Sequence, residues 1–266
     1  MAEKGPPTSI ADSSKPNAGR IYDFVLGGNH NFEVDRLAAQ QVLKVAPMYP
    51  KVARTIRWFL GEAVRRLVAD GYTQFIDFAS GLPTVDHIHQ VAPSGTKVVY
   101  SDLDPVTVAY GQEILKDSPD ARYVACNIAT PEQLLKSPEV LKLLDKSRKT
   151  AIGYNGIAWF LKDEDVSASM QVLHDWAPNG SRLFISEADS GSVPTAAKKD
   201  LASLYEKLGQ ALFFRSLDTI LELCRPWKVM KPGFRPLEEW IGTKAGVDEE
   251  TQSGLDLKFI GAFLEK

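Results

Sequence analysis

Cysteine is scarce in these 266 residues: there are two, Cys126 and Cys224, 98 positions apart. A disulfide framework needs a denser set, so the pair points to a reducing compartment. No Cys-x-x-Cys is present, which removes the usual ligand set of a structural zinc site. An excess of one charge is also missing. Lys and Arg number 31 against 34 Asp and Glu, a net charge of −3 with a pI of about 5.9. With no basic block, nucleic acid is not an expected partner. No run of about 18 apolar residues exists, so no membrane span is expected. Residues 1–7 lack the apolar centre of a signal peptide. Together these absences predict a cytoplasmic protein that works without membrane or nucleic acid; a monomer or homodimer is expected.

What is present fits one large α/β domain with a modest extension, at an ordinary 44% hydrophobic content. Residues 1–17 are rich in Pro, Ser, Lys and Gly without apolar periodicity, and are expected to form a loose arm. Residues 18–72 read as a helical cap: a short docked helix and turn over 20–31, a helix over 32–45, and a longer one over 50–69. In the last, Ile56, Phe59, Leu60, Ala63, Val64 and Leu67 recur at helical spacing as one buried stripe, with Arg54, Arg57, Arg65 and Arg66 mainly off it. Gly71 suits the C-cap.

Residues 73–266 change rhythm. Strand-like runs at 74–78, 97–101, 122–125 and 151–154 each precede a helical stretch. Asp104-Pro105 and Thr130-Pro131 read as an N-cap followed by Pro at the first helical position. Asp77 to Asp102 and Asp102 to Asn127 are each 25 residues, the length of one βα unit. That alternation implies a mostly parallel, Rossmann-like sheet with helices on both faces. A fifth strand is expected at 182–186, helices over 196–212 and from Ser216, and a hairpin-like strand pair at 227–231 and 257–264.

Such sheets bind ligands outside the carboxyl ends of their strands. Strand one ends in Asp77-Phe78-Ala79-Ser80-Gly81-Leu82-Pro83-Thr84. A dinucleotide site wants G-x-G-x-x-G under a pyrophosphate. Here the glycine positions hold Ala79, Gly81 and Thr84, and Pro83 removes an N–H. That suits S-adenosylmethionine, which has no phosphate, better than NAD. Asp102 ends strand two, 21 residues after Gly81, the spacing for a carboxylate on the ribose hydroxyls; Leu103 follows, and Asp104 is better explained as a helix cap. Asn127 and Ile128 end strand three, facing the adenine amino group and ring. Tyr154 and Asn155 end strand four beneath the methyl donor, where π faces and amide oxygens suit a sulfonium. Trp159 and Phe160 read as core, and Cys126 as a small buried filler.

At these residues the chain resembles a bacterial group of class I methyltransferases, the "S-adenosyl methyltransferases", whose acceptors are mostly undefined. The match runs over about 17–240. Its most specific parts are Arg20-Ile21-Tyr22-Asp23-Phe24-Val25-Leu26-Gly27-Gly28-Asn29-His30-Asn31-Phe32 with Asp35-Arg36, the Phe75–Thr84 run with His89, and Val99-Tyr100-Ser101-Asp102-Leu103-Asp104-Pro105. The resemblance implies a seven-stranded sheet with a reversed last strand and an N-terminal segment, carrying Tyr22 and Asn31, that closes over the cofactor. Three positions depart from the group: Ala79 replaces a glycine, Asn127 an Asp and Ile56 an Asn.

The expected cofactor contacts are therefore Tyr22, Asn31, Asp77, Ala79, Ser80, Gly81, Asp102, Leu103, Asn127, Ile128, Tyr154 and Asn155. Methyl transfer is an in-line displacement that depends mainly on positioning, with a general base needed if the acceptor starts protonated. Candidate bases are His30, Asp23, Tyr154 and Glu187. His87 and His89 lie two apart on a helix and point to different faces, so no metal is expected there. The expected activity is methyl transfer to a small molecule. The rivals are a cofactor-binding sensor without transfer and an NAD(P)-dependent oxidoreductase.

Overall fold

The computed structural model describes residues 14–83, 86–242 and 257–266; most of the expected arm, residues 1–13, and Thr84 lie outside them. Asn17 opens the first helix, its Oδ1 accepting from the N–H groups of Gly19 and Arg20 at 2.8 and 3.2 Å. Helices α1 (Ala18–Val25), α2 (Glu33–Val45) and α3 (Tyr49–Ala69) follow. Ile21, Val25, Ala38, Ala39 and Ala53 join them in a small core of their own. α3 ends where Gly71 turns left-handed (φ 82°), with Gly71 N–H on the Val68 carbonyl and Tyr72 N–H on that of Leu67, a Schellman ending.

The sheet then assembles from β1 (Gln74–Asp77), β2 (Lys97–Asp102), β3 (Ala121–Ala125), β4 (Ala151–Asn155), β5 (Arg182–Asp189), β6 (Lys228–Val229), β7 (Arg235–Pro236) and β8 (Lys258–Glu265). Strand order is β3-β2-β1-β4-β5-β8-β6, with β7 paired to β8. β1 to β5 are parallel; β8 runs antiparallel to β5, β6 and β7. The reversed strand is as expected, but the strands number eight because the two-residue β7 adds to the edge of β8. The helices between them are α4 (Ile88–Val91), α5 (Pro105–Leu115), α6 (Glu132–Leu135), α7 (Pro138–Leu143), α8 (Asp163–Trp176), α9 (Thr195–Lys207), α10 (Leu217–Leu223) and α11 (Leu237–Ile241), with a 3-10 turn at Ala158–Phe160.

Two cores sandwich the sheet, and strand alternation sorts residues between them. Phe75, Val98, Tyr100, Ala151 and Phe184 pack with the α3 stripe, from Ile56 to Leu67. Ile76, Val99, Ile152, Tyr154, Leu183 and Ile185 pack with α8 and α10 on the other face. Two expected helix ends differ. α9 stops at Lys207, not 212, because Gly209 turns left-handed (φ 77°) and Gln210 N–H closes on the Tyr205 carbonyl. Thr130 does not cap α6; Pro131 holds that position and Thr130 N–H bonds the Asn127 carbonyl.

The order reverses between β1 and β4, the switch point at which open α/β sheets take ligands. There Gly153 faces Asp77 so closely that a Cβ on it would lie 2.1 Å from Asp77 Oδ1 and 2.8 Å from Phe184 Cζ. Gly153→Ala is therefore expected to lower stability by about 2 kcal/mol or more, through overpacking at a rigid strand pair. Denaturant unfolding measures it; an unchanged midpoint would show that β4 can give way.

Candidate functional site

A cavity of about 620 Å³ opens at the carboxyl ends of β1 to β5, within the size range of small-molecule sites. Asp77 is its most unusual wall. The residue is 1% exposed, and among the described residues neither carboxylate oxygen has a hydrogen-bond partner. Burial outweighs the nearby Ser80 hydroxyl and Arg57 guanidinium and pushes its pKa up to about 7. The Ser80 hydroxyl itself donates to the Asp77 carbonyl, 2.7 Å.

The turn after β1 is held from two sides. Gly81 N–H donates to Asp102 Oδ2 at 3.1 Å, and the Tyr123 hydroxyl donates to the Gly81 carbonyl at 2.6 Å. Ala79 sits left-handed at φ 49°, a conformation that glycine adopts without the steric cost alanine bears. Asp102 Oδ1 accepts from Asp104 N–H, 2.9 Å. Each Asp102 oxygen thus accepts one backbone bond and keeps a lone pair. Burial raises its pKa to about 6 against those N–H groups.

The N-terminal helices are fastened to the end of β2 by a buried cation. Arg20, 2% exposed, donates from Nε to Asp35 at 2.8 Å, from Nη1 to Asp104 at 3.0 Å and from Nη2 to the Lys15 carbonyl at 2.7 Å. Asp35 also accepts from Asn17 and Phe32 N–H. Asp104 meanwhile caps α5 through Thr107 N–H, 3.0 Å, as its sequence position suggested.

Ten of the twelve expected cofactor contacts line this cavity: Tyr22, Asp77, Ala79, Ser80, Gly81, Asp102, Leu103, Asn127, Ile128 and Asn155. Two do not. Tyr154 is one register step from Gly153, so its ring enters the α8 core and its hydroxyl meets Ser169 Oγ at 3.0 Å. Burial raises its pKa further above the ordinary phenol range. Asn31 turns its amide onto Asp23 Oδ2 and the Gly28 carbonyl, and bonds Arg36 through Oδ1; it shapes the turn instead.

The candidate bases also stand apart. Glu187 lies on the Tyr154 face of β5, 3.5 Å from Arg215 Nη1, with burial raising its pKa to about 7. Asp23 and His30 line a neighbouring cavity of about 430 Å³. Asp23 accepts from His30 N–H and Asn31 Nδ2, and the His30 ring meets Tyr110 edge-on at 4.8 Å. The wall of the larger cavity includes Trp159 and Phe160, both half-buried; Trp159 also packs against the α3-side core. Cys126 lines it too, its thiol pushed up to about 12 by burial, which disfavours a thiolate nucleophile.

Arg57 was missed by the stripe pattern. It lines both cavities, 5.6 Å over the Tyr22 ring, and hydrogen-bonds His87 Nε2. Arg can only donate, so Nε2 accepts and His87 is neutral; burial first, then Arg57, holds its pKa well below the usual range. The available signal was adjacency: Arg57 follows Ile56, which lines the cavity and whose carbonyl accepts from Asn155 at 3.4 Å. His87 and His89 both set their rings edge-on against Tyr100, at 5.5 and 5.7 Å. Among the described residues no helix is long and apolar enough to cross a membrane.

The chain belongs to the S-adenosyl methyltransferase family, whose model matches residues 4–261; S-adenosylmethionine is its cofactor. A candidate methyltransferase from Thermobifida fusca YX is 31% identical, with 96% of each chain covered and a TM-score of 0.85. A DUF574 family protein from Streptomyces avermitilis MA-4680 is 27% identical over 96% of this chain and 99% of its own, also with a TM-score of 0.85. A geranyl diphosphate methyltransferase, solved with geranyl diphosphate and sinefungin, shares the fold at 13% identity, a TM-score of 0.51, and 81% and 79% coverage. None of the curated proteins compared matches the chain.

Asp77 makes the ligand-free protein pay for its charge as pH rises. Its folded pKa is raised, so the penalty is absent below pH ~4, grows through about 7 and is constant above. Asp77→Asn cannot ionise and is expected to be more stable than the parent by about 2–4 kcal/mol at pH 8. The difference should shrink toward zero near pH 4. Thermal unfolding across that range checks it; a pH-independent difference would mean that Asp77 does not bear a buried charge.

Proposed function

We propose that this member of the S-adenosyl methyltransferase family is a cytoplasmic enzyme that methylates a small-molecule acceptor. The observation that carries the proposal is the unpartnered Asp77 carboxylate in the cavity wall, with Arg57 beside it. An α-amino acid group is a zwitterion, and this pair of opposite charges fits it: Asp77 takes the ammonium and Arg57 the carboxylate. No phosphate-bearing ligand needs a buried carboxylate at the glycine turn.

The remaining wall fits the rest of S-adenosylmethionine. Asp102, with one lone pair left on each oxygen, holds the two ribose hydroxyls. Asn127, exposed and with Oδ1 accepting from Ala129 N–H, meets the adenine edge, and Ile128 its face. Ala79, Ser80 and Gly81 let the backbone approach, Leu103 covers the ribose side, and Tyr22 and Asn155 close the site from above and below. Residues 18–72 act as the cap and residues 73–266 as the catalytic unit, with the Arg20 ion pairs joining them. When bound, the cofactor supplies a methyl group on a sulfonium.

The chain's own part is positioning and exclusion of water, worth about 7–11 kcal/mol when two reactants are well aligned. None of the four expected bases faces the large cavity, which favours an acceptor already nucleophilic at neutral pH. The same observation supports a second reading, a cofactor-binding protein without transfer. Turnover separates the two: production of S-adenosylhomocysteine with an acceptor supports the enzyme, and tight cofactor binding without turnover on a broad acceptor panel supports the sensor. The free thiols of Cys126 and Cys224 fit the cytoplasm.

Two predictions follow from the contacts. Asp102→Ala is expected to weaken S-adenosylmethionine binding more than tenfold in calorimetry; unchanged affinity in a folded variant would remove Asp102 from the ribose. Affinity should also rise from pH 5.5 to 7.5 as Asp77 ionises through about 7, then fall above about 8 as the ligand's amine loses its proton. Asp77→Asn should remove the part of the rise centred near 7 and leave the part near 6 that belongs to Asp102; a rise near 7 that survives the substitution would assign it to another group.

A further inference from the structure

The cavity has two halves of different chemistry. Its charged lining side chains, among the described residues, are Asp77, Asp102, Asp104, Asp165 and Arg57. All but Asp165 belong to the strand-end half already assigned to the cofactor. The other half is walled by Trp159 and Phe160 of the 3-10 turn, Tyr205 of α9, Phe213 and Phe214 of the strap 209–215, and Phe259 of β8. Its rings meet edge-on or tilted: Trp159 with Phe160 and with Phe259 at 6.1 Å, and Phe160 with Tyr205 at 6.0 Å.

This aromatic half is a built surface. Phe213 N–H donates to the Trp159 carbonyl at 2.8 Å, which joins strap to turn. Arg215, at the strap's end and 4% exposed, donates to the carbonyls of Ala158 and Leu161 at 2.9 and 2.5 Å and pairs with Asp163 at 2.8 Å. Its guanidinium is spent on the scaffold, 5.8 Å from the Phe213 ring centroid, and does not itself line the cavity.

We propose that the aromatic half seats the methyl acceptor, and that the acceptor is a ring-bearing, largely apolar small molecule without an anionic group. The proposal rests on the cofactor assignment above. An anion in this half would be desolvated among aromatic walls; among the described residues four carboxylates line the same cavity, and the single lining cation, Arg57, is engaged at the cofactor's far end. A flat apolar ring gains both area burial and edge-to-face contacts there. Asp165, in the first turn of α8, and Gln210 supply acceptors for a hydroxyl or amine on such a ring.

The test is calorimetric titration of the full chain, saturated with S-adenosylhomocysteine, using two probes of one skeleton: 2-naphthol and 2-naphthoate. The expected result is at least tenfold tighter binding of 2-naphthol. Phe160→Ala and Phe214→Ala, one from each wall, should each weaken it at least fivefold and keep S-adenosylhomocysteine affinity within threefold. 2-Naphthoate binding as tightly as 2-naphthol, binding of neither, or 2-naphthol affinity unmoved by both variants would overturn the acceptor class and leave the cofactor assignment standing. Failure of S-adenosylhomocysteine to bind at all would overturn the cofactor assignment, and this proposal with it.

Discussion

A carboxylate buried without a partner costs folding free energy, and among the described residues Asp77, at the end of β1, has none. The surrounding structure makes that position hard to relax. Gly153 on β4 leaves room for the Asp77 side chain where any Cβ would collide with it. The backbone just beyond turns left-handed at Ala79 (φ 49°), and Gly81 is held by Asp102 on one side and Tyr123 on the other. Such strain and unpaired charge are tolerated where a ligand compensates for them. An ammonium group reaching Asp77 would restore the missing interaction, so a charge that costs stability would favour binding.

Two buried arginines fix the walls around that point. Arg20 ties α1 and α2 to Asp104, the cap of α5, two residues beyond Asp102. Arg215 ties the strap to the turn that follows β4. Each binds a carboxylate and at least one carbonyl, so neither charge is left bare in the interior. The first holds α1 and α2 against the end of β2, and the second holds the strap 209–215 against the 3-10 turn. Removing either guanidinium would free a whole wall, where a typical lining residue contributes only its own contact.

Much of this arrangement could be read from local chemistry. The Asp104-Pro105 cap, the 25-residue recurrence from Asp77 to Asp102 to Asn127 and the α3 stripe are short-range patterns, and each names elements that the structure contains. Facing was harder. Tyr154 and Glu187 were expected at the site because they end strands, but one register step sends a strand residue to the opposite face. Asn155 reaches the cavity from β4, and Ala188, not Glu187, reaches it from β5. Trp159 and Phe160 look like core in any composition argument, because what makes them cavity walls is the strap from 209–215, far along the chain. Arg57 was hidden for a similar reason: its partner His87 is 30 residues away, and helical periodicity alone places it off the buried stripe.

The central claim is that the strand-end half of the cavity is shaped for an aminoacyl nucleoside and not for a dinucleotide. Parallel calorimetric titration of the purified chain with S-adenosylmethionine and with NAD tests it most directly. Micromolar binding of S-adenosylmethionine is expected, with no heat of binding from NAD, whose pyrophosphate would meet the carboxylates of Asp77 and Asp102. Binding of NAD without S-adenosylmethionine would contradict it and return the chain to the oxidoreductases.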